Sequence, residues 1–356
     1  MLISRAAVRP TSKQRLHAPG FSLVELLTVV FIISLLIAIL VPSLSAARTA
    51  AKKTQTGSTI DKSLDQALEM FKNENERDFP QTGGYPASYS HPPIRGVTFD
   101  PTQGEFPFLE NTSPLPQANG AHWLATMLMG VDEQGYVPRK NVPATLASQP
   151  DRWYSADPRQ DSSFEIVPRA TLYIEPGAVE TRRTMNLPGR PNIQLSNTWD
   201  TVQQLPVFVD SFGRPILYYA ANRYGKPRNM VEDVHDGNNS YADGPPMYFH
   251  EDNKLFTGDA TNLSGWKFQG NDDHNIARPG HMLDANQILE DQNRNTFATF
   301  ILDRSYRKRM EDGLLEPTAQ LPLRPVNPNR FILISAGADG IYGSPDDITN
   351  FPLSVE

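Results

Sequence analysis

A single carboxylate, Glu25, stands within the residues Phe21 to Val41, FSLVELLTVVFIISLLIAILV, which otherwise carry no charge. An ionised side chain at the centre of a bilayer costs about 2.5–3.5 kcal/mol on insertion scales, and less toward an interface. An acid kept in such a run therefore asks for a cation to pair with. A second group of acids lies far along the chain, where Asp339, Asp346 and Asp347 are interspersed with Gly337, Gly340 and Gly343. Calcium takes six to eight oxygens, and glycines let backbone carbonyls turn inward. The loop thus has the residue types for a hard cation, and the same residues equally make a solvated Asp-Gly turn. It is not an EF-hand, because D-x-D-x-D-G and the closing glutamate are missing.

Other chemistries find little footing. Without cysteine there is no thiolate nucleophile, no disulfide framework and no residue to carry a lipoprotein acyl chain. HExxH, GxSxG, GxxxxGK[ST] and GxGxxG are all absent. The seven histidines are scattered, and no Ser/His/Asp set can be assigned from their order. Asp272, Asp273, His274 and His281 have the types for a transition metal, and Glu232, Asp233, Asp236 and Asp243 for another cation. Such groups are more often surface loops. The formal charge is −7, or −11 once the four cations Arg5, Arg9, Lys13 and Arg15 are removed. That balance argues against nucleic acid, which is bound by basic patches.

These residues need elements to position them. The segment Met1–Gly20 holds the four cations and no acid. About 20 apolar residues suffice to cross a bilayer as one helix, and a basic leader holds the N-terminus on the cytoplasmic side. A secretory signal has a shorter apolar region. A plain signal anchor fits the length but requires neither Gly20 nor Glu25. Beyond Pro42, Ile60, Leu64, Leu68 and Phe71 recur at helical spacing, with Asp61, Lys62, Asp65, Glu69 and Lys72 around the rest of the wheel. This predicts an amphipathic helix packed on a sheet, with Gly57 as a soft spot for a bend. The pattern stops at Asp78-Phe79-Pro80. Three parts follow: a leader over 1–20, a long helix over 21–76 (apolar at 21–41, amphipathic at 44–75), and a globular part over 77–356.

With 31 prolines and 23 glycines, the chain beyond the helix reads as loop-rich. A helix is expected over Ala121–Met129, and short strands over Phe164–Val167, Thr171–Ile174 and Met247–Phe249. Arg182, Arg183 and Arg190 read as a solvated loop. Turn residues Asp210-Ser211-Phe212-Gly213 between Val207–Val209 and Ile216–Ala220 predict a hairpin. Gln287–Met310 reads as helical, burying Phe297, Phe300, Ile301 and Tyr306. Phe331–Ser335, FILIS, is the clearest strand.

The segment GFSLVE, Gly20 to Glu25, closely resembles the processing motif of type IV prepilins and type II secretion pseudopilins. The resemblance implies cleavage after Gly20 by the prepilin peptidase, N-methylation of the new terminus Phe21, and pairing of Glu25 with the terminal amine of a neighbouring subunit. Pro42 falls where family members often carry a helix-kinking proline. Asp210, Gly213, Pro215 and Tyr218 match the D-x-W-G-x-P-x-x-Y segment of major pseudopilins, with Phe212 replacing the tryptophan. Ala336–Ile348 resembles their C-terminal calcium loop, implying Asp339 and Asp347 as ligands, Asp346 as a substitute, and carbonyls near Ser335.

The implied fold is α+β, a long N-terminal transmembrane helix packed on a C-terminal antiparallel β-sheet, with large insertions. The implied function is that of a structural subunit of a pseudopilus or type IV pilus-like fibre, not an enzyme. Its partners would be the prepilin peptidase, further copies or other pseudopilins, and the inner-membrane assembly platform. The protein would sit in the inner membrane as a single-pass chain with a periplasmic ectodomain before assembly. Alternatives are an anchored minor pilin with a ligand-binding or adhesive ectodomain, and an anchored hydrolase.

Overall fold

The computed structural model describes residues 22–88, 119–137, 141, 168–191, 205–225, 231–232, 247–259, 263, 265–268, 273–278, 296–312, 314 and 324–353. Gly20 and Phe21 lie outside them, as do the expected strand Phe164–Val167, the first part of the expected helix Gln287–Met310, and the positions Asp233, Asp236, Asp243, Asp272 and His281.

Helix α1 runs Leu23–Ser58, passes into a π-helical stretch Thr59–Leu64, and continues as α2, Asp65–Asn75. The stretch Leu23–Asn75 is long and apolar enough to cross a membrane. Every large apolar side chain from Leu23 to Leu44 is at least 46 % exposed. The amphipathic stripe behaves in the opposite way: Ile60, Leu64, Leu68 and Phe71 are completely buried. Gly57 is an ordinary helical residue, and the irregularity falls two residues later, at the π segment. A π turn absorbs extra residues within a helix without ending it, and here it keeps Ile60 and Leu64 on the buried side.

The chain forms two compact units, Met1–Ala50 and Ala51–Glu356. The second therefore begins inside α1, because the helix supplies part of its core. Phe71 packs against Phe79 and Tyr173 at ring separations of 5.3 and 5.1 Å. Burying one such side chain contributes about 1.5–3 kcal/mol. Polar ties hold the same helix to the strand region: Arg330 donates to Asp65 at 2.9 Å and to Glu69 at 2.7 Å.

Helix α3, Gly120–Met129, matches its expected bounds to one residue. It is buried along its whole length, so its sequence reads as apolar on every side. The strands are β1 (Thr181–Arg183), β2 (Arg190–Pro191), β3 (Pro206–Phe208), β4 (Leu217–Ala220), β5 (Val231–Glu232), β6 (Tyr248–Phe249), β7 (Trp266–Lys267), β8 (Phe331–Ser335) and β9 (Ile348–Thr349). FILIS is the central strand β8, antiparallel to both β4 and β9.

A single C-terminal antiparallel sheet needs correction. Among the described residues the strands form one three-stranded sheet and three two-stranded ones, β1–β3, β2–β7 and β5–β6, the last of them parallel. The architecture is α+β, with a long apolar N-terminal helix and small, mainly antiparallel sheets. The expected hairpin also closes differently. Val209 bridges Pro215, after which β3 turns to β1 and β4 to β8. Each strand finds a longer partner elsewhere than its neighbour in sequence.

Other expectations change for local reasons. Thr171–Ile174 is not a strand. Its Tyr173 hydroxyl donates to Glu74 at 2.7 Å and accepts from Asn75 at 3.0 Å, fixing it as a loop against the helix. Arg182 and Arg183 lie on β1 rather than in a solvated loop; Arg182 pairs with Glu180, and Arg183 donates to the Val131 carbonyl at 2.6 Å. The helix near Phe297 is split into Phe297–Phe300 and Arg304–Glu311, because Leu302 bridges Pro325 between them. Phe297, Phe300 and Ile301 are buried as expected.

Candidate functional site

Glu25 lies in the first turn of α1, where it accepts a 2.9 Å hydrogen bond from the backbone N–H of Ser22. A carboxylate at a helix N-terminus satisfies an orphan donor and meets the positive end of the helix dipole. Its carboxylate thus already faces the end of the helix nearest Phe21.

The acidic loop hangs from the strand before it. β8 ends at Ser335, the chain turns through Gly337, Gly340 and Gly343, and β9 returns from Ile348. All three glycines have left-handed φ. At Gly337 a Cβ would come within 2.4 Å of the Asp346 carbonyl, so only glycine fits. One carboxylate oxygen from each of Asp339, Asp346 and Asp347 lies within 4.8 Å of the others.

The three acids share a hydrogen-bonded loop, with the Ser344 hydroxyl serving both Asp346 and Asp347. Asp346 accepts from the Ala338 N–H at 2.8 Å and the Ser344 hydroxyl at 2.6 Å, and faces Lys53 at 3.7 Å. Asp347 accepts from the Gly343 N–H at 2.7 Å, and Asp339 from the Ile341 N–H at 2.8 Å. Burial pushes the Asp347 carboxyl well above the usual aspartate range, reinforced by the charges of Asp339 and Asp346. Burial and Asp346 raise Asp339 as well. Burial also acts upward on Asp346, but Ser344, Asp339, Ala338 and Lys53 outweigh it and hold this carboxyl low. Oxygens around one calcium stand at most about 4.6–5.2 Å apart, and the three acids, all within 4.8 Å of one another, do not exceed that limit.

The wall of the loop comes from segments that sequence reading left apart. Tyr342 donates its N–H to His274 Nδ1 at 3.2 Å, and the other nitrogen of that ring meets the Trp266 carbonyl at 3.0 Å. With Nδ1 accepting, Nε2 carries the proton and donates. His274 is therefore buried and engaged at both nitrogens, unlike the surface loop expected of it. Tyr342 also donates its hydroxyl to the Pro215 carbonyl at 2.7 Å.

Asp210 is the polar hub beside the loop. One carboxylate oxygen accepts from the N–H groups of Phe212 and Arg214, both at 2.8 Å. The other accepts from the Ser335 hydroxyl at 2.5 Å, and Ser335 in turn accepts from the Gly337 N–H at 3.2 Å. The hairpin turn is thus tied to the start of the acidic loop. Turn chemistry at Asp210 was visible in the sequence; its partner 125 residues away was not.

No protein-family model, no curated protein and no solved structure matches this chain.

Proposed function

We propose that the chain is a structural subunit of a type II secretion pseudopilus or type IV pilus-like fibre, cut after Gly20 and assembled by bundling of its N-terminal helix. The observation that carries this reading is the unbroken helical path Leu23–Asn75, apolar and exposed in its first half and built into a core in its second. Apolar surface on that scale is stable only in lipid or against other helices. Glu25, alone in that surface, gives such packing an electrostatic register. The prepilin-like GFSLVE segment supplies the means of creating the matching cation, the amine of Phe21. The inner membrane holds the chain before assembly, with residues beyond the apolar run on the periplasmic side. Its partners are the prepilin peptidase, other pilin-like subunits and the assembly platform.

Mass spectrometry of the protein recovered from membranes tests this. The chain should begin at Phe21 and be one methyl group heavier than residues 21–356. Gly20→Leu should leave the full-length precursor. A normally shortened, assembled protein from that variant would sink the assignment.

Calcium belongs to the same reading as a structural ion, held by Asp339 and Asp347 with Asp346 contributing. It would join β8 to β9 by neutralising three crowded acids. Binding only the folded state stabilises it by about 2.7 kcal/mol at 100-fold above Kd. Chelator should therefore lower the melting temperature of the full chain in detergent, and Asp339→Ala should remove that sensitivity. The pH dependence has a definite sign. A carboxyl raised in the fold, as that of Asp347 is, gives stability that is full below its unfolded value of about 4 and is lost as pH rises from there through its higher folded value. Calcium must displace the proton held by Asp347, so binding should tighten as pH rises through that range. Melting that is equal in calcium and chelator at neutral pH would leave the loop a solvated turn.

A further inference from the structure

Three local irregularities meet at one opening in the second unit. A cleft of about 510 Å³ is lined on the helix side by Gln55 and Thr59, and elsewhere by Glu133, Gly177, Glu180 and Ser211. Thr59 opens the π-helical segment, and such segments are frequent at functional sites. Glu133 holds a φ of 65°, in the left-handed region that a glutamate rarely adopts. Such strain persists where surrounding structure enforces it, often at ligand clamps. Gly177, φ 87°, tips the turn away so that nothing stands within 4 Å of its outer face. The size is that of a ligand pocket.

The lining defines the ligand. No basic side chain is among the lining residues, which offer carboxylates, an amide, hydroxyls and exposed backbone. Asp210 at the floor is engaged by its own turn and Ser335. Glu180 is held by Arg182 at 2.7 Å. The Glu133 carboxylate makes no hydrogen bond or ion pair among the described residues, while its backbone N–H is tied to Gly130. Beside the cleft, Thr181 lies opposite Phe208 in a pair flanked by the Val209 N–H to Glu180 carbonyl bond, so its own backbone groups face outward from β3. An acceptor-rich cleft beside a strand edge that is unpaired among the described residues suits an extended peptide bearing a cationic side chain.

We propose that this cleft binds the guanidinium or ammonium group of a partner peptide, with Glu133 as its counter-ion. The test uses the full chain in detergent micelles and two blocked tripeptides, Ala-Arg-Ala and Ala-Gln-Ala, followed by saturation-transfer NMR. The arginine peptide should bind at least tenfold more tightly than the glutamine one. Glu133→Gly separates binding from folding, because glycine adopts the left-handed backbone without strain. That variant should melt no lower than the parent and lose at least tenfold in affinity for the arginine peptide. Asp312→Asn, an exposed aspartate just after the helix Arg304–Glu311 and away from the cleft lining, should leave affinity unchanged. Equal binding of the two peptides, no binding of either, full affinity in Glu133→Gly, or an equal loss in Asp312→Asn would each overturn the proposal.

Discussion

Chains carrying Glu25→Ala should be shortened like the parent and yet fail to build fibres. The reasoning starts from the fate of the Phe21 amine. On the proposed reading, cleavage after Gly20 creates a cation at the head of an apolar helix, and bundling would carry it out of water. A buried charge is tolerable only when paired and hydrogen-bonded. Removing one partner of a buried pair costs about 3–5 kcal/mol, because the other charge is left uncompensated. At 1.4 kcal/mol per decade, that weakens each subunit contact by roughly a hundred- to several-thousandfold. Within one subunit, Glu25→Ala loses only the bond from the Ser22 N–H, worth about 0.5–2 kcal/mol at a helix start. Assembly should thus suffer far more than monomer helicity. The measurements are the mass of the membrane-extracted chain and a count of fibres by electron microscopy, beside Glu25→Asp as the charge-retaining control. Normal fibre yield from the alanine variant would refute the pairing, whatever its effect on helicity.

How much of this was legible in the sequence depends on the range over which each feature is determined. The long helix was legible because its signal is local and repeated: Ile60, Leu64, Leu68 and Phe71 define one face, and all four are buried. β8 was legible because four consecutive apolar residues, two of them β-branched, between turn signals have few alternatives. The hairpin turn was legible at Asp210, but the divergence of its strands was not, since β4 and β8 pair across more than a hundred residues. The acids of the C-terminal loop stand out in the sequence as a group, and the structure brings all three together. What encloses them escaped notice, because His274 and Pro215 carry no mark in the sequence of their contact with Tyr342. A histidine beside two aspartates suggests a metal site until both its nitrogens are seen to be engaged by backbone groups. The cleft beside Glu133 depends on a backbone angle that no residue type announces.

The hub at Asp210 should prove a highly sensitive position in the unit Ala51–Glu356. It is 1 % exposed and accepts from two backbone N–H groups and one hydroxyl. Asp210→Ala leaves those three donors without an acceptor in a site too buried for water to replace it. Each orphaned donor costs about 1–3 kcal/mol, and the Ser335 hydroxyl can rotate to recover part of its share. The sum, on the order of 3–5 kcal/mol, is a large fraction of the about 5–15 kcal/mol by which domains are stable. The damage should spread to the acidic loop, because Ser335 also receives the Gly337 N–H. Two controls grade the effect. Asp210→Asn keeps an oxygen for the Phe212 and Arg214 N–H groups and should fall between alanine and the parent. Burial already raises the Asp210 carboxyl against the pull of those donors, so loss of its charge alone should be mild. Ser335→Ala removes only the hydroxyl and should cost about 1 kcal/mol. Thermal melting of the full chain in detergent would read all three, in the order alanine, asparagine, serine variant. If Asp210→Ala melts within a degree or two of the parent, the hairpin is held by its apolar contacts, and the hydrogen bonds from Phe212, Arg214 and Ser335 contribute little.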